Sequence, residues 1–110
     1  MSCDAGLEAR IDGLSVGIEG LDKRRMFGGV GYLLRGHMAY GIWRDNLVLR
    51  CGPAAYAECL KREGVREFDV TGRPMKGWVL VSAAAIAADT TLDAWLAQGR
   101  TFAASLPPKA

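Results

Sequence analysis

Three short stretches of this chain carry residue types with the means for chemistry. The first is Arg25-Met26-Phe27-Gly28-Gly29-Val30-Gly31. Glycines clustered beside an apolar pair mark an unusual backbone path, and successive glycine amides can form a nest that holds a phosphate. No Gly-Lys-Ser/Thr follows, so this is not a P-loop. A strand and not a helix is expected next, so it is not a dinucleotide fingerprint. The plainer account is a bulge or bend that lets a strand twist under a helix. The second stretch is Lys23-Arg24-Arg25, which suits contact with nucleic-acid phosphates or a charged edge that discourages strand addition. Alternation sends Arg24 and Lys23 outward and Met26 or Phe27 inward. The third is Arg73-Pro74-Met75-Lys76, a rigid turn with two cations, read either as a docking loop or as a turn whose Met75 plugs the edge of the core. The candidate partner-binding residues are thus Lys23, Arg24, Arg25, Gly28, Gly29, Arg73, Pro74, Met75 and Lys76.

Groups for catalysis are sparse. Four serines, Ser2, Ser15, Ser82 and Ser105, share the single histidine, His37, which falls in an expected turn. A Ser-His-Asp assembly has little to build on. Asp89 and Asp93 read as helix-capping residues and not as an acid–base pair. The three cysteines, Cys3, Cys51 and Cys59, match no metal-ligand spacing, and free cysteine is usually a buried, reduced thiol. No catalytic residue, cofactor or metal is expected. Of the three tryptophans, Trp95 has core spacing, and Trp43 and Trp78 are open to an interface role.

The elements that position these residues follow from periodicity. Leu7, Ile11 and Leu14 share one helical face, with Asp4 placed to cap it. Gly31 to Leu34, Met38 to Trp43 and Asn46 to Arg50 suit three strands of an antiparallel meander, with glycine and asparagine supplying positive φ at the turns. Gly52-Pro53 opens a second helix, carrying Tyr56, Cys59 and Leu60 on its buried stripe and ending at Gly64. Thr71-Gly72-Arg73-Pro74 is a turn, and Trp78 to Val81 rejoins the sheet. Asp89-Thr90-Thr91 opens the last helix, with Thr90 and Asp93 resembling a capping box. Its apolar residues run from Leu92 to Leu106, and Pro107-Pro108 stops it. The order helix, three-strand meander, helix, one or two strands, helix implies a two-layer α+β domain on an antiparallel sheet. Residues 1–110 are read as one domain, with a core over 7–106 and a tail over 107–110.

Composition bounds the class. Half of the 110 residues are apolar and 24% are charged, which is ordinary for a globular protein. A domain this size buries roughly 65% of its unfolded surface, enough for one core. No apolar run reaches the about 20 residues that span a bilayer, and the N-terminus lacks the pattern of a secretory signal. A cytoplasmic location without a membrane partner is expected. The net charge of +2 is uneven: Lys23 to Lys76 carries +6 and the flanks carry −4. A basic middle steers anionic partners, or it is simply a solvated surface.

The residues also resemble a known family, the N-terminal domain of TfoX/Sxy proteins. The carrying motifs are Arg25-Met26-Phe27-Gly28-Gly29-x-Gly31, Gly36-x-Met38-Ala39, Leu47-x-Leu49-Arg50 and Gly72-Arg73-Pro74-Met75-Lys76-Gly77-Trp78. The similarity runs from about Leu7 to Leu106. It implies an α+β fold similar to secretion chaperones. It also implies kinship with regulators of competence for DNA uptake, whose second, C-terminal domain has a helical DNA-binding appearance. Residues 1–110 contain nothing similar to that second domain, so the expectation is a stand-alone N-terminal-like domain, with no catalytic residue and no transcriptional role transferred.

The expected function is a small regulatory or interaction module, not an enzyme, monomeric or homodimeric. It would bind a protein partner or itself through the Lys23 to Gly31 region and the Gly72 to Trp78 loop. The alternatives are direct nucleic-acid binding by the basic segment 23–76, and a domain that takes a small ligand between helix and sheet.

Overall fold

Residues 4–26 and 28–107 are described in this computed structural model. Expectations placed on Cys3, Phe27 and the last three residues lie outside them. The chain opens with helix α1, Ala5–Leu14. Asp4 caps it, its carboxylate accepting from the amides of Gly6 at 2.8 Å and Leu7 at 3.1 Å, which satisfies two amides that have no intrahelical partner. Leu7 and Ile11 are buried on its inner face.

Four strands follow as hairpins: β1 Leu21–Met26, β2 Gly29–Leu34, β3 His37–Trp43 and β4 Asn46–Arg50. Helix α2 is Tyr56–Leu60, then come β5 Val65–Glu67 and β6 Trp78–Val81. A 3-10 turn, Ala83–Ile86, leads to helix α3, Asp89–Ala104. The sheet order is β1-β2-β3-β4-β6-β5 and every pairing is antiparallel. The α+β class stands as expected.

Local details differ from expectation, each for a physical reason. The meander has four strands, not three, because Leu21–Met26 forms β1. Its interior, Asp22-Lys23-Arg24-Arg25, has no apolar alternation to announce a strand. The ladder to β2 and ion pairs to α1 hold it instead. The Thr90–Asp93 capping box does not form. Ala88 occupies the N-cap with no side-chain bond, and Asp89 is engaged by Arg10 of α1 at 2.8 Å. Positive φ at the β3–β4 turn belongs to Arg44, at 59°, and not to Asn46; the β2–β3 turn uses Arg35 at 52° and Gly36 at 90°. Two consecutive left-handed residues match the twist of a two-residue hairpin. Helix α2 begins at Tyr56, after a turn that contains Pro53.

The sheet buries two different faces. Its inner face carries Val30, Tyr32, Leu34, Tyr40, Ile42, Leu47, Leu49, Val79 and Val81, packed under Leu7 and Ile11 of α1 and Leu92, Trp95, Leu96 and Ala103 of α3. Gly99 lets α3 sit close: a Cβ there would lie 2.5 Å from the Ala39 carbonyl oxygen. Ala39 lies at the bulge where the β2–β3 register shifts. On the outer face a smaller cluster of Val48, Phe68 and Leu80 is joined by half-buried Met38, Trp43, Val70, Met75 and Trp78.

Candidate functional site

The outer face gathers most of the residues singled out in the sequence. Register fixes one cross-strand row there: Arg24 opposite Gly31, Gly31 opposite Gly41, Gly41 opposite Val48, Val48 opposite Leu80, and Leu80 opposite Arg66. Arginines stand at both ends, two glycines make a trough between β2 and β3, and a second apolar pair fills the row. The glycines are glycines because methionines lie on them. A Cβ on Gly31 would meet the Met26 sulfur at 2.5 Å, and one on Gly41 would meet the Met38 methyl at 2.6 Å. Gly41 is also tight against the Val30 carbonyl. Met26 and Met38 thus fold across the trough as flexible, polarisable cover.

The Phe68–Gly77 loop lies over the β4–β6 half of the same face. It closes on itself through Met75 N–H to the Phe68 carbonyl at 3.2 Å and Gly72 N–H to the Asp69 carbonyl at 2.9 Å. Gly72 and Gly77 take φ of 105° and 95°, a region that disfavours side chains. The Gly77 carbonyl accepts from the amides of Cys51 and Gly52 at 2.9 and 3.0 Å, which ties the loop to the end of β4. Met75 and Trp78 pack into the outer cluster, while Arg73, Pro74 and Lys76 are exposed. Met75 thus plugs the edge of the outer cluster, and its neighbours are left exposed.

The Lys23-Arg24-Arg25 run divides between faces. Arg24 is on the outer face, bonded to Asp22 at 2.8 Å. Lys23 turns to the helix side and not outward, because Glu8 and Asp12 of α1 hold its ammonium, Asp12 at 2.9 Å. Arg25 also reaches Glu8, at 3.5 Å. Met26 lies on the outer face and not inward. Gly28 makes the β1–β2 turn with φ of 76°, while Gly29 and Gly31 are paired within the ladders. The acidic flank of the sequence is in this way folded against part of its basic middle.

Behind β1, the layer between α1 and the sheet carries a polar network. The Tyr32 hydroxyl donates to Asp12 at 2.6 Å, its ring lies 5.3 Å from that of Tyr40, and the Tyr40 hydroxyl meets Ser15 at 2.8 Å and Arg100 at 3.2 Å. Burial, with the Asp12 bond and charge added, raises the Tyr32 pKa far above the ordinary tyrosine value. Burial raises Asp12, but hydrogen bonds from Tyr32 and Lys23 with the lysine charge outweigh it and leave its carboxyl below the usual range. The Glu8 hydrogen bond is the main cause of a raised Lys23. Together these bonds and ion pairs fasten α1 to β1 and β2.

Other reactive groups are tied up similarly. Cys51 and Cys59 are buried and free. Burial and then the neighbouring Cys59 push the Cys51 thiol up to about 12, the reverse of an activated thiol. His37 Nε2 meets the Pro107 carbonyl, in the segment that follows α3. Among the described residues no group of three or more His, Cys, Asp or Glu is placed to hold a metal ion, and no helix is long and apolar enough to cross a membrane. Two clefts of about 250 and 270 Å³ flank α1, below the roughly 300–1,000 Å³ of typical ligand sites. A third, about 540 Å³, is lined by Glu63, Gly64, Ser82, Ala84 and Ala85, with the Glu63 carboxylate and the Ser82 hydroxyl as its side-chain polar groups.

Sequence reasoning missed Met38 and Arg66 as members of the outer face; Trp43, which the sequence left open to an interface role, lies there as well. Their contribution depends on register: only the pairing of β3 with β2 and of β5 with β6 sets them beside Arg24 and the loop. The unusual glycine pair Gly31 and Gly41, both inside expected strands, was the available signal.

An antiparallel α+β sheet with a methionine-covered outer trough and a glycine-bounded loop is the class of domain these observations define. The chain belongs to the TfoX N-terminal domain family, whose model matches residues 14–103. A comparison with curated proteins found no match, and a comparison with solved structures found none.

Proposed function

We propose that this TfoX N-terminal domain is a cytoplasmic, non-enzymatic module, similar in role to part of a competence regulator, that docks a protein partner on the outer face of its sheet. The carrying observation is the continuity of that face. Met26, the Gly31–Gly41 trough, Met38, Trp43, Met75 and the exposed Arg73-Pro74 and Lys76 form one strip, half-buried along its middle and charged at its rim. Interfaces favour such a pattern of apolar centre and polar rim, with methionine, aromatic and arginine residues enriched. Groups that turnover would need are instead held in structural bonds or raised by burial. The test is site-specific photocrosslinking, with the reactive group placed at Lys76 on the loop or at Ala97 on the far side of α3. Adducts with a partner from Lys76 and not from Ala97 are expected. Equal adducts from both, or adducts from Ala97 alone, would dismiss the outer face as the docking surface.

A further inference from the structure

The outer face is unusual in carrying more positive charge than its own acids neutralise, and that imbalance, together with the backbone beneath it, narrows what the face takes. Arg66, Arg73 and Lys76 have no acidic partner in an ion pair among the described residues, and Asp22 is the partner of Arg24. Asp69 is the remaining acid of the loop. Resting on the docking face proposed above, we infer that its occupant is an amphipathic helical segment of a different protein, apolar along its seam and acidic on its flanks. The seam lies along Met26, Met38 and the glycine trough, and the acids meet Arg66, Arg73 and Lys76.

Three physical arguments select this occupant. A second copy of the chain in a two-fold contact would set this face against the same face, so the basic rim would meet a surface with the same excess of positive charge. An extended peptide gains most by joining a strand edge. The trough, however, lies over β2 and β3, each paired on both sides, so an extended segment there finds no backbone partners. A helix satisfies its own backbone and brings only side chains. Single-stranded nucleic acid wants open aromatic faces for stacking. Trp43 and Trp78 instead pack on the small cluster and are overlain by the guanidinium groups of Arg44 at 4.5 Å and Arg50 at 4.9 Å. What remains flexible over the trough is methionine side chain, suited to repacking around apolar anchors.

The experiment uses methyl-labelled protein and three probes: a synthetic helical peptide of about 18 residues, five turns, with a leucine seam and glutamate flanks; its isomer with lysine for every glutamate; and a thymidylate oligomer. The glutamate peptide is expected to shift the Met26 and Met38 methyl resonances, with affinity falling as salt screens the rim. Arg66→Glu combined with Arg73→Glu is expected to weaken it about tenfold, with the melting temperature unchanged as the control for folding. Binding of the lysine isomer at the same methyls with equal or higher affinity would overturn the acidic assignment while leaving the docking face intact. Shifts from the thymidylate oligomer without shifts from the glutamate peptide would replace the occupant with nucleic acid. Methyls unmoved by all three probes at about 1 mM, a concentration that detects even weak binding, would overturn the acidic-helix occupant, while the face itself stands or falls by the crosslinks from Lys76 and Ala97.

Discussion

Gly31→Ala and Gly41→Ala are chemically the same change, two residues in one cross-strand pair, yet the structure separates them. Replacing a strand glycine by alanine gains about 0.5–1 kcal/mol where the site accepts a side chain. At Gly31 the new methyl meets only Met26, with the sulfur at 2.5 Å and the terminal methyl at 3.0 Å. That side chain has room to swing into solvent, at the cost of part of its half-buried apolar contact, about 1 kcal/mol. The net change is expected within about 1 kcal/mol of zero. At Gly41 the methyl meets the Val30 carbonyl oxygen as well as the Met38 methyl. Backbone inside a paired strand cannot step aside, so overpacking of about 1–3 kcal/mol applies. For a domain of this size about 4 °C of melting temperature corresponds to each kcal/mol. In thermal unfolding Gly41→Ala should therefore melt roughly 4–12 °C below the wild type, while Gly31→Ala stays within about 4 °C of it. Equal destabilisation would refute the claim that Met26 is a movable cover over the trough.

Further expectations follow from the same structure. Gly13→Ala, in α1 with nothing within 4 Å of the added methyl, should raise stability by about 0.5–1 kcal/mol in urea unfolding. Because the folded Asp12 carboxyl lies below the ordinary value of 3.8, its contribution is present above that pH and is lost as pH falls through the folded value. Asp12→Asn should accordingly flatten the decline of stability below about pH 4, measured by pH-dependent unfolding. Tyr32 has the opposite sign: its raised folded pKa gives stability that is complete below 10.0 and lost as pH rises through the folded value. Tyr32→Phe should therefore flatten the alkaline limb, and the wild-type phenol should resist ionisation in an ultraviolet titration until the chain unfolds. Cys51 and Cys59 should escape alkylation in the native state and react once denatured, as read by peptide mass mapping; rapid native labelling of either would contradict their burial.

Residue order alone carried much of the architecture. The 3.6-residue spacing of Leu7, Ile11 and Leu14, and of Leu92, Trp95 and Leu96, marks helices, because one face must reach a core. Alternation in Met38 to Trp43 and Asn46 to Arg50 marks strands for the same reason. The motif residues around Gly28 and Gly72 were visible because glycine is informative only where the backbone or a neighbour forbids a side chain. β1 was not legible as a strand, since its four central residues are charged and no apolar period announces it. A side chain points inward there not for burial but because Glu8 and Asp12 wait on α1.

Facing and partnership were decided by the fold. Lys23, Arg24 and Arg25 are one cluster in sequence, but the pleat sends neighbours to opposite faces, and α1 claims two of them. Arg66 and Arg24 are far apart along the chain and share a row only because five antiparallel pairings fix one register across six strands. Local composition determines which elements form, since helix and strand periods are properties of short segments. The outer face exists only after those segments pair, since hydrogen-bond register, a long-range quantity, chooses which side chains become neighbours.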